Sequence, residues 1–403
     1  MINKKILFLD HSSVPGGSSI SLGELVKRIS THHYKTIISC NSPRLFEFYN
    51  NENISTDYCE LEMFHHTTAS WWNISLKSII SLFMWIYKFF KSRSSLKQLI
   101  KKHNPEIVHL NSITLAPYLK YLKSLNIYTV IHIRETIVDG YLGFRKKLIR
   151  RAIEKYADRT IFICEHNKNA LGTQKGEVIY NPVSLEKYKS QDYLAIKGRL
   201  GLKENQKIVL YVGGLRVING PLIFVKCLKD IIEEYPQVKI LMPYTSYTPS
   251  TTFYSSLKRF LGNCVNYFST RQIIEKEIKA HSLENNILQF DYINDIENFF
   301  IASDIVVVPF ISPHFARAVI EAGAAAKPVI ASNIGGISEV VKHEVNGFLC
   351  APGDPKELAS NILRCLKNDR MSKDMGANGL SFAKDQFDAK MHAKNVLKVY
   401  DSL

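Results

Sequence analysis

The chain has 403 residues, of which 46% are apolar and 22% charged. These proportions exclude wholesale disorder, a collagen-like fibre and a multispan membrane protein, and the length suits two or three domains. Lys and Arg number 52 against 37 Asp and Glu, and the excess is lopsided: residues 1–185 hold 25 basic and 14 acidic side chains. A basic half expects an anionic partner, whether nucleic acid, a membrane surface or a phosphorylated substrate. The absence of a zinc finger, an RNP-like motif or Arg/Lys repeats argues against nucleic acid. Seven cysteines form no C-x-x-C pair, so they are expected as buried, reduced thiols. No secretory signal opens the sequence and no run of about 20 apolar residues occurs. A cytoplasmic protein, peripheral at most to a membrane, is therefore expected.

In chain order, Lys5–Leu9 reads as a strand and Ser21–Ile29 as a helix with Leu22, Leu25, Val26 and Ile29 on one face. Strands are predicted again at 36–39, 107–110, 128–131 and 160–163, separated by helical stretches. The rhythm restarts with strands at 207–212, 238–241, 287–290, 304–308 and 328–331. Two βαβα series predict an α/β protein of two doubly wound parallel sheets. The expected divisions are 1–185, 186–385 and a last helix, 386–403, returning to the first domain. Ligands of such sheets bind beyond the carboxyl ends of the strands, and with two facing domains the central cleft is the default site.

Four strand–helix turns carry candidate chemistry. Asp10–Ser19 includes Gly16 and Gly17, where backbone without side chains lets a ligand approach a helix N-terminus. Neither it nor any other segment has the G-x-G-x-x-G or Walker A spacing. Val212–Pro221 contains Gly213, Gly214 and Arg216. Pro309–Ser332 is the most informative. Pro313 suits the first turn of a helix, whose N–H groups at His314, Phe315, Ala316 and Arg317 would face a phosphate. Arg317 and Glu321 stand four apart on one face. They form either a local ion pair or a cation for a diphosphate beside a carboxylate for a ribose diol. Gly335-Gly336 opens another short helix with Glu339 near its start. His132, Arg134 and Glu135 follow from the end of a first-domain strand.

Phe315–Ser332, Gly335-Gly336, Glu339-Val340-Val341 and Asn346–Leu349 together resemble the retaining glycosyltransferases of family 4, which have the GT-B fold of two facing Rossmann-like domains. The resemblance implies transfer of a sugar from a nucleotide-sugar co-substrate to a glycan acceptor, with no tightly bound cofactor or metal. It places the donor mainly on the second domain. Glu321 matches the second glutamate of the family's Glu-x7-Glu motif and would hold the donor ribose. Tyr292 would meet the base, Gly17 the donor phosphate or sugar, and His132 the sugar. The first motif glutamate falls at Pro313, and the usual phosphate-binding Arg and Lys fall at Gly214 and Asn219. Arg216 and Arg317, in the same two loops, would supply the missing charge. The same fold also serves nucleotide-sugar epimerases, hydrolases and non-catalytic subunits.

Residues 63–105 contain no acidic side chain and seven basic ones. Within them, Ile79–Phe90 reads as an amphipathic helix too short to span a bilayer. It suits the plane of an anionic membrane, with Trp71, Trp72 and Trp85 at headgroup depth. A second basic cluster, Arg145–Arg151, lies in the same domain. A lipid-linked acceptor would fit both.

Overall fold

Strands buried on both faces form the frame of the computed structural model, which describes residues 4–30, 34–64, 76–139, 143–189, 193–243, 264–290, 296–313 and 315–403. The contacts divide the chain into two units: Met1–Val183 with Phe387–Leu403, and Ser184–Gln386.

Unit 1 holds β1 (Lys4–Asp10), β2 (Tyr34–Cys40), β3 (Thr56–Tyr58), β4 (Ile107–Leu110), β5 (Tyr128–Ile133), β6 (Arg159–Phe162) and β7 (Glu177–Val178). They pair in the order β3-β2-β1-β4-β5-β6-β7, every pair parallel. Leu7, Val108, Ile131 and Phe162 face one layer of helices, and Phe8, Ile107, Val130 and Ile161 the other. This two-sided burial explains why the strands are near-continuous apolar runs. The first layer includes Leu76–His103 and Phe144–Tyr156; the second includes Gly17–Ile29 and the late helix Ala389–Asp401, whose Val396 and Tyr400 are fully buried.

Unit 2 repeats the plan with β8 (Ile208–Tyr211), β9 (Lys239–Pro243), β10 (Ile287–Phe290), β11 (Ile305–Val308), β12 (Val329–Ser332) and β13 (Gly347–Cys350). The order is β10-β9-β8-β11-β12-β13, all parallel. In each sheet the winding reverses beside the first strand, between β1 and β4 and between β8 and β11. Crevices at such switch points are where open α/β sheets take ligands. The edge strands β3 and β7 escape the sequence pattern because they have only three and two residues, and β13 because it opens with glycine.

The described cysteines Cys40, Cys59, Cys164, Cys227, Cys350 and Cys365 are all free and buried. Burial pushes the Cys350 and Cys365 thiols up to about 11, which keeps them protonated and unreactive.

Candidate functional site

Three sequence segments meet at the switch point of unit 2. The loop after β8 folds on itself: the Tyr211 hydroxyl donates to Gly214 O at 2.8 Å, and the Asn219 side-chain amide donates to Gly213 O. Asn219, standing where the resemblance puts a lysine, is thus a brace of this loop. Gly214 and Gly220 both have positive φ, at 62° and 68°, a region favouring glycine. The loop after β11 is tied alongside by Ile311 N donating to Ile218 O at 2.9 Å. Arg216 is exposed on the first of these loops.

The helix after β11 runs Arg317–Ala324, four residues later than Pro313 predicts. Its N-cap is Ala316, with extended backbone (φ −89°, ψ 109°), so the turn carrying Pro313 lies outside the helix. Ala316 has no side chain to cap the helix. Val319 N returns to Ala316 O at 3.1 Å, and the first-turn donors Arg317 and Ala318 precede it. Phe315 and Ala316 are buried at the helix entry, where they pin the cap against the sheet. His314 and Tyr292 lie outside the described residues.

Arg317 Nε donates to Glu321 Oε1 at 2.7 Å, and both side chains are nearly buried (13% and 11% exposed). The local ion pair allowed by the i, i+4 spacing is therefore formed. It engages one carboxylate oxygen, and it fixes both side chains beside the start of the helix. Gly335-Gly336 follows the carboxyl end of β12 and precedes the short helix Ile337–Val340.

In unit 1, Gly16 is the N-cap of Gly17–Ile29, again without a side-chain cap, and a Cβ added there would meet nothing within 4 Å. The backbone is open at this helix N-terminus, beside the end of β1. Asp10, at that strand end, accepts from the Tyr49 hydroxyl at 2.7 Å and from Ser12 N at 3.1 Å, which sets the turn.

His132, which the resemblance places at the sugar, lies inside unit 1. It has no exposed surface. Its ring sits 5.4 Å from His109 and 6.2 Å from His392, centre to centre, and its Nδ1 is 3.3 Å from Arg134 Nη2. His132 therefore touches Arg134 and is enclosed by protein. Arg134, two residues on, bridges the strand ends: its Nε donates to Asn111 Oδ1 and its Nη1 to Asn181 Oδ1, both at 2.6 Å. Glu135 accepts from the Ser112 hydroxyl at 2.7 Å and from Ile113 N at 3.2 Å, so both its oxygens fasten the turn after β4.

Burial, then the Arg134 charge, holds His109 and His132 far below the ordinary histidine range. Their Nε2 atoms have no hydrogen-bond partner among the described residues. The unfolded chain protonates such rings below about pH 6.5, while the folded chain does not. Each ring should therefore cost the fold about 1.4 kcal/mol per pH unit below that point, until the folded rings titrate. The urea midpoint of unit 1 is expected to fall between pH 7 and 5.5, less steeply in His132→Gln. Equal slopes would show that these rings are not held neutral.

A separate cavity of about 270 Å³ lies at the amino ends of β8, β11 and β12, lined by Lys207, Asp304, Lys327 and Asp369. Burial lowers Lys327 to about 8. Lys207 pairs with Asp369 at 2.7 Å, so the cavity is ion-paired and far from the strand ends that carry the candidate site. Among the described residues no group of three or more His, Cys, Asp or Glu is arranged to hold a metal ion.

A model of glycosyltransferase family 4 matches residues 15–187, and one of glycosyl transferases group 1 matches residues 260–382. Both units of the chain match glycosyltransferases. The E. coli UDP-Gal:alpha-D-GlcNAc-diphosphoundecaprenol alpha-1,3-galactosyltransferase is 27% identical over 307 residues, 73% of this chain and 74% of that protein. The Bacillus anthracis N-acetyl-alpha-D-glucosaminyl L-malate synthase is 21% identical over 320 residues, 77% of each chain. Among solved structures, Anabaena HepE in complex with UDP-glucose superposes with a TM-score of 0.76 at 21% identity, covering 99% of this chain and all of that one. The fold is accordingly GT-B, built of two Rossmann-like units. The second family match covers the Arg317–Glu321 helix, and the first covers Gly16, Gly17, His132 and Arg134.

Proposed function

We propose that this chain transfers a sugar from a nucleotide-sugar to a glycan acceptor, with retention at the anomeric carbon. The observation that carries the reading is the Arg317–Glu321 pair at an uncapped helix start on the switch point of unit 2. In this reading the first-turn N–H groups and Arg317 face the diphosphate, where a helix N-terminus favours an anion. The second oxygen of Glu321 takes the ribose hydroxyls. Arg216 adds positive charge from the neighbouring loop, and the glycine backbones of Gly213 and Gly214 admit close approach. Negative charge grows on the departing diphosphate, and fixed donors lower its energy without reorganising. Tyr292 is carried as a donor contact from the resemblance, and His314 from the N–H groups that follow Pro313. In unit 1, Gly16 and Gly17 are carried from the sequence as donor contacts, and His132 acts as a positioning residue for Arg134. The relative acting on a diphosphoundecaprenol-linked sugar supports an acceptor in lipid-linked oligosaccharide or surface-polysaccharide synthesis at the cytoplasmic membrane face.

The test is thermal stabilisation by UDP, GDP, ADP and CMP in turn. A ligand at 100 times its Kd raises stability by about 2.7 kcal/mol, so one nucleotide should shift the melting temperature clearly. The matching nucleotide-sugar should then be consumed only when acceptor is present. Consumption without acceptor would assign a hydrolase or epimerase. No shift with any nucleotide would assign a non-catalytic chain, with the exposed Pro313 in place of the missing glutamate as its cause.

A further inference from the structure

The 28-residue helix Leu76–His103 has more apolar surface than its sheet can cover. One stripe packs inward: Trp85 and Phe89 lie against the core cluster that holds Leu96 and Leu99. Trp85 stacks on Phe89 at 5.1 Å and its Nε1 donates to Met63 O at 2.8 Å. Trp85 is thus an anchor of the protein interior, not the headgroup residue that the sequence suggests. The opposite stripe is also apolar. Ile80, Phe83, Tyr87 and Phe90 are 55%, 68%, 69% and 60% exposed and recur at three- and four-residue spacing on one helical face. Further along the same helix the outward positions become Lys97 and Lys101, with Lys88 and Lys91 beside the aromatic stretch.

A second helix of the same layer repeats the pattern. Phe144–Tyr156 packs Ile149 and Ile153 into the same cluster. It turns Phe144 (59% exposed) and Leu148 (43%) outward among Lys147, Arg151 and Lys155. Arg145 does not belong to this surface: it is buried, with Nη2 donating to Val138 O at 2.8 Å.

We propose that the outer faces of these two helices dock unit 1 on an anionic lipid surface. Exposed aromatic side chains of this number mark an interaction site. Charge selects the occupant. A second copy of the chain would set lysines against lysines, whereas an anionic bilayer meets both the apolar stripe and the cations. The aromatic stretch is far too short to cross, and among the described residues no helix is long and apolar enough to do so. Docking therefore lays the helices in the interface plane, with Phe83, Tyr87, Phe90 and Phe144 entering the headgroup–acyl boundary and the lysines against lipid phosphate.

Lipid binding does not depend on sugar transfer, so this inference and the proposed function fail separately. The full chain would be floated with phosphatidylglycerol-containing vesicles and with pure phosphatidylcholine vesicles at low and high salt. Binding is expected to the first at low salt, to weaken with salt, and to be small for the second. A Phe83→Ser/Tyr87→Ser/Phe90→Ser variant and a Lys88→Glu/Lys97→Glu/Lys101→Glu variant should each bind at least tenfold more weakly. All six side chains are exposed, so both variants should melt as the parent does. Hydrogen exchange of the unaltered chain serves if either does not: vesicles should protect residues 80–101 and 144–155 above the rest. No binding to anionic vesicles at low salt overturns the proposal, as does equal binding to both lipids or protection elsewhere. A parent dimer that the aromatic variant makes monomeric would give the face to a second copy instead.

Discussion

Replacing Glu321 by alanine is expected to lower kcat/KM for the nucleotide-sugar by about 10²–10³-fold. A carboxylate gripping a ribose diol makes two charge-assisted hydrogen bonds, each of about 1.5–3 kcal/mol, and their joint loss of some 3–4 kcal/mol converts to that factor. The substitution also removes the nearly buried Arg317–Glu321 ion pair, so some loss of stability accompanies it. A ligand-side comparison separates the two effects. The parent should prefer a nucleotide with both ribose hydroxyls over its 2′- or 3′-deoxy analogue by at least tenfold, and Glu321→Ala should bind all three alike. Coupling of this kind appears only between groups that interact. A variant that still discriminates the deoxy analogues would move ribose recognition to another residue. Arg317→Ala should reduce turnover at saturating donor far more than Arg216→Ala, because Arg317 is fixed at the helix start while Arg216 is exposed on its loop. Equal, small effects from both would remove the arginines from the reaction.

The second large effect is one of stability. Gly220 caps the helix Pro221–Glu234 with φ at 68°, and a Cβ there would overlap the carbonyl oxygen of Pro309. Backbone approaches backbone at this point, so no side chain can yield. Gly220→Ala combines an unfavourable φ with overpacking and should destabilise unit 2 by about 3–5 kcal/mol. Gly353 is the control: its φ is 86°, yet a Cβ would meet nothing within 4 Å. Its alanine variant should lose only the conformational part, about 1 kcal/mol. Urea midpoints of the two variants decide the matter, and similar losses would show that the Pro309 contact is not the cause. The contact matters for the site because it holds the β8 loop against the end of β11, where the Arg317–Glu321 helix begins.

The central strands were legible because they are buried on both faces and written in β-branched residues, as in Ile305-Val306-Val307-Val308. Edge strands such as Gly347–Cys350 were legible only as a motif. Four residues with one glycine give no period to read. The helix start at Arg317 was misplaced because proline favours a first turn wherever it stands, while the extended backbone at Ala316 is set by packing of Phe315 and Ala316. The neighbour of His132 is not legible locally: its ring packs on His392 of the Ala389–Asp401 helix, some 260 residues away in the chain, and no local pattern announces so distant a cover. Trp85 failed for a related reason. A helix that is apolar on two sides does not say which side the sheet will take. The pairing of Arg317 with Glu321 was within reach of spacing alone, since i, i+4 side chains of opposite charge meet on any helix.

Unit 1 takes its last helix from residues 387–403, after the whole of unit 2. Val396 and Tyr400 from that helix complete one face of the first sheet, and the Tyr400 hydroxyl lies 2.7 Å from His109 Nδ1. On the ribosome, the half of the molecule made first is thus the half finished last. Its β4–β5 face waits, with His109 and Ile107 uncovered, while all of unit 2 is being synthesised. A premature stop just before residue 387 would leave unit 2 whole and unit 1 without its lid.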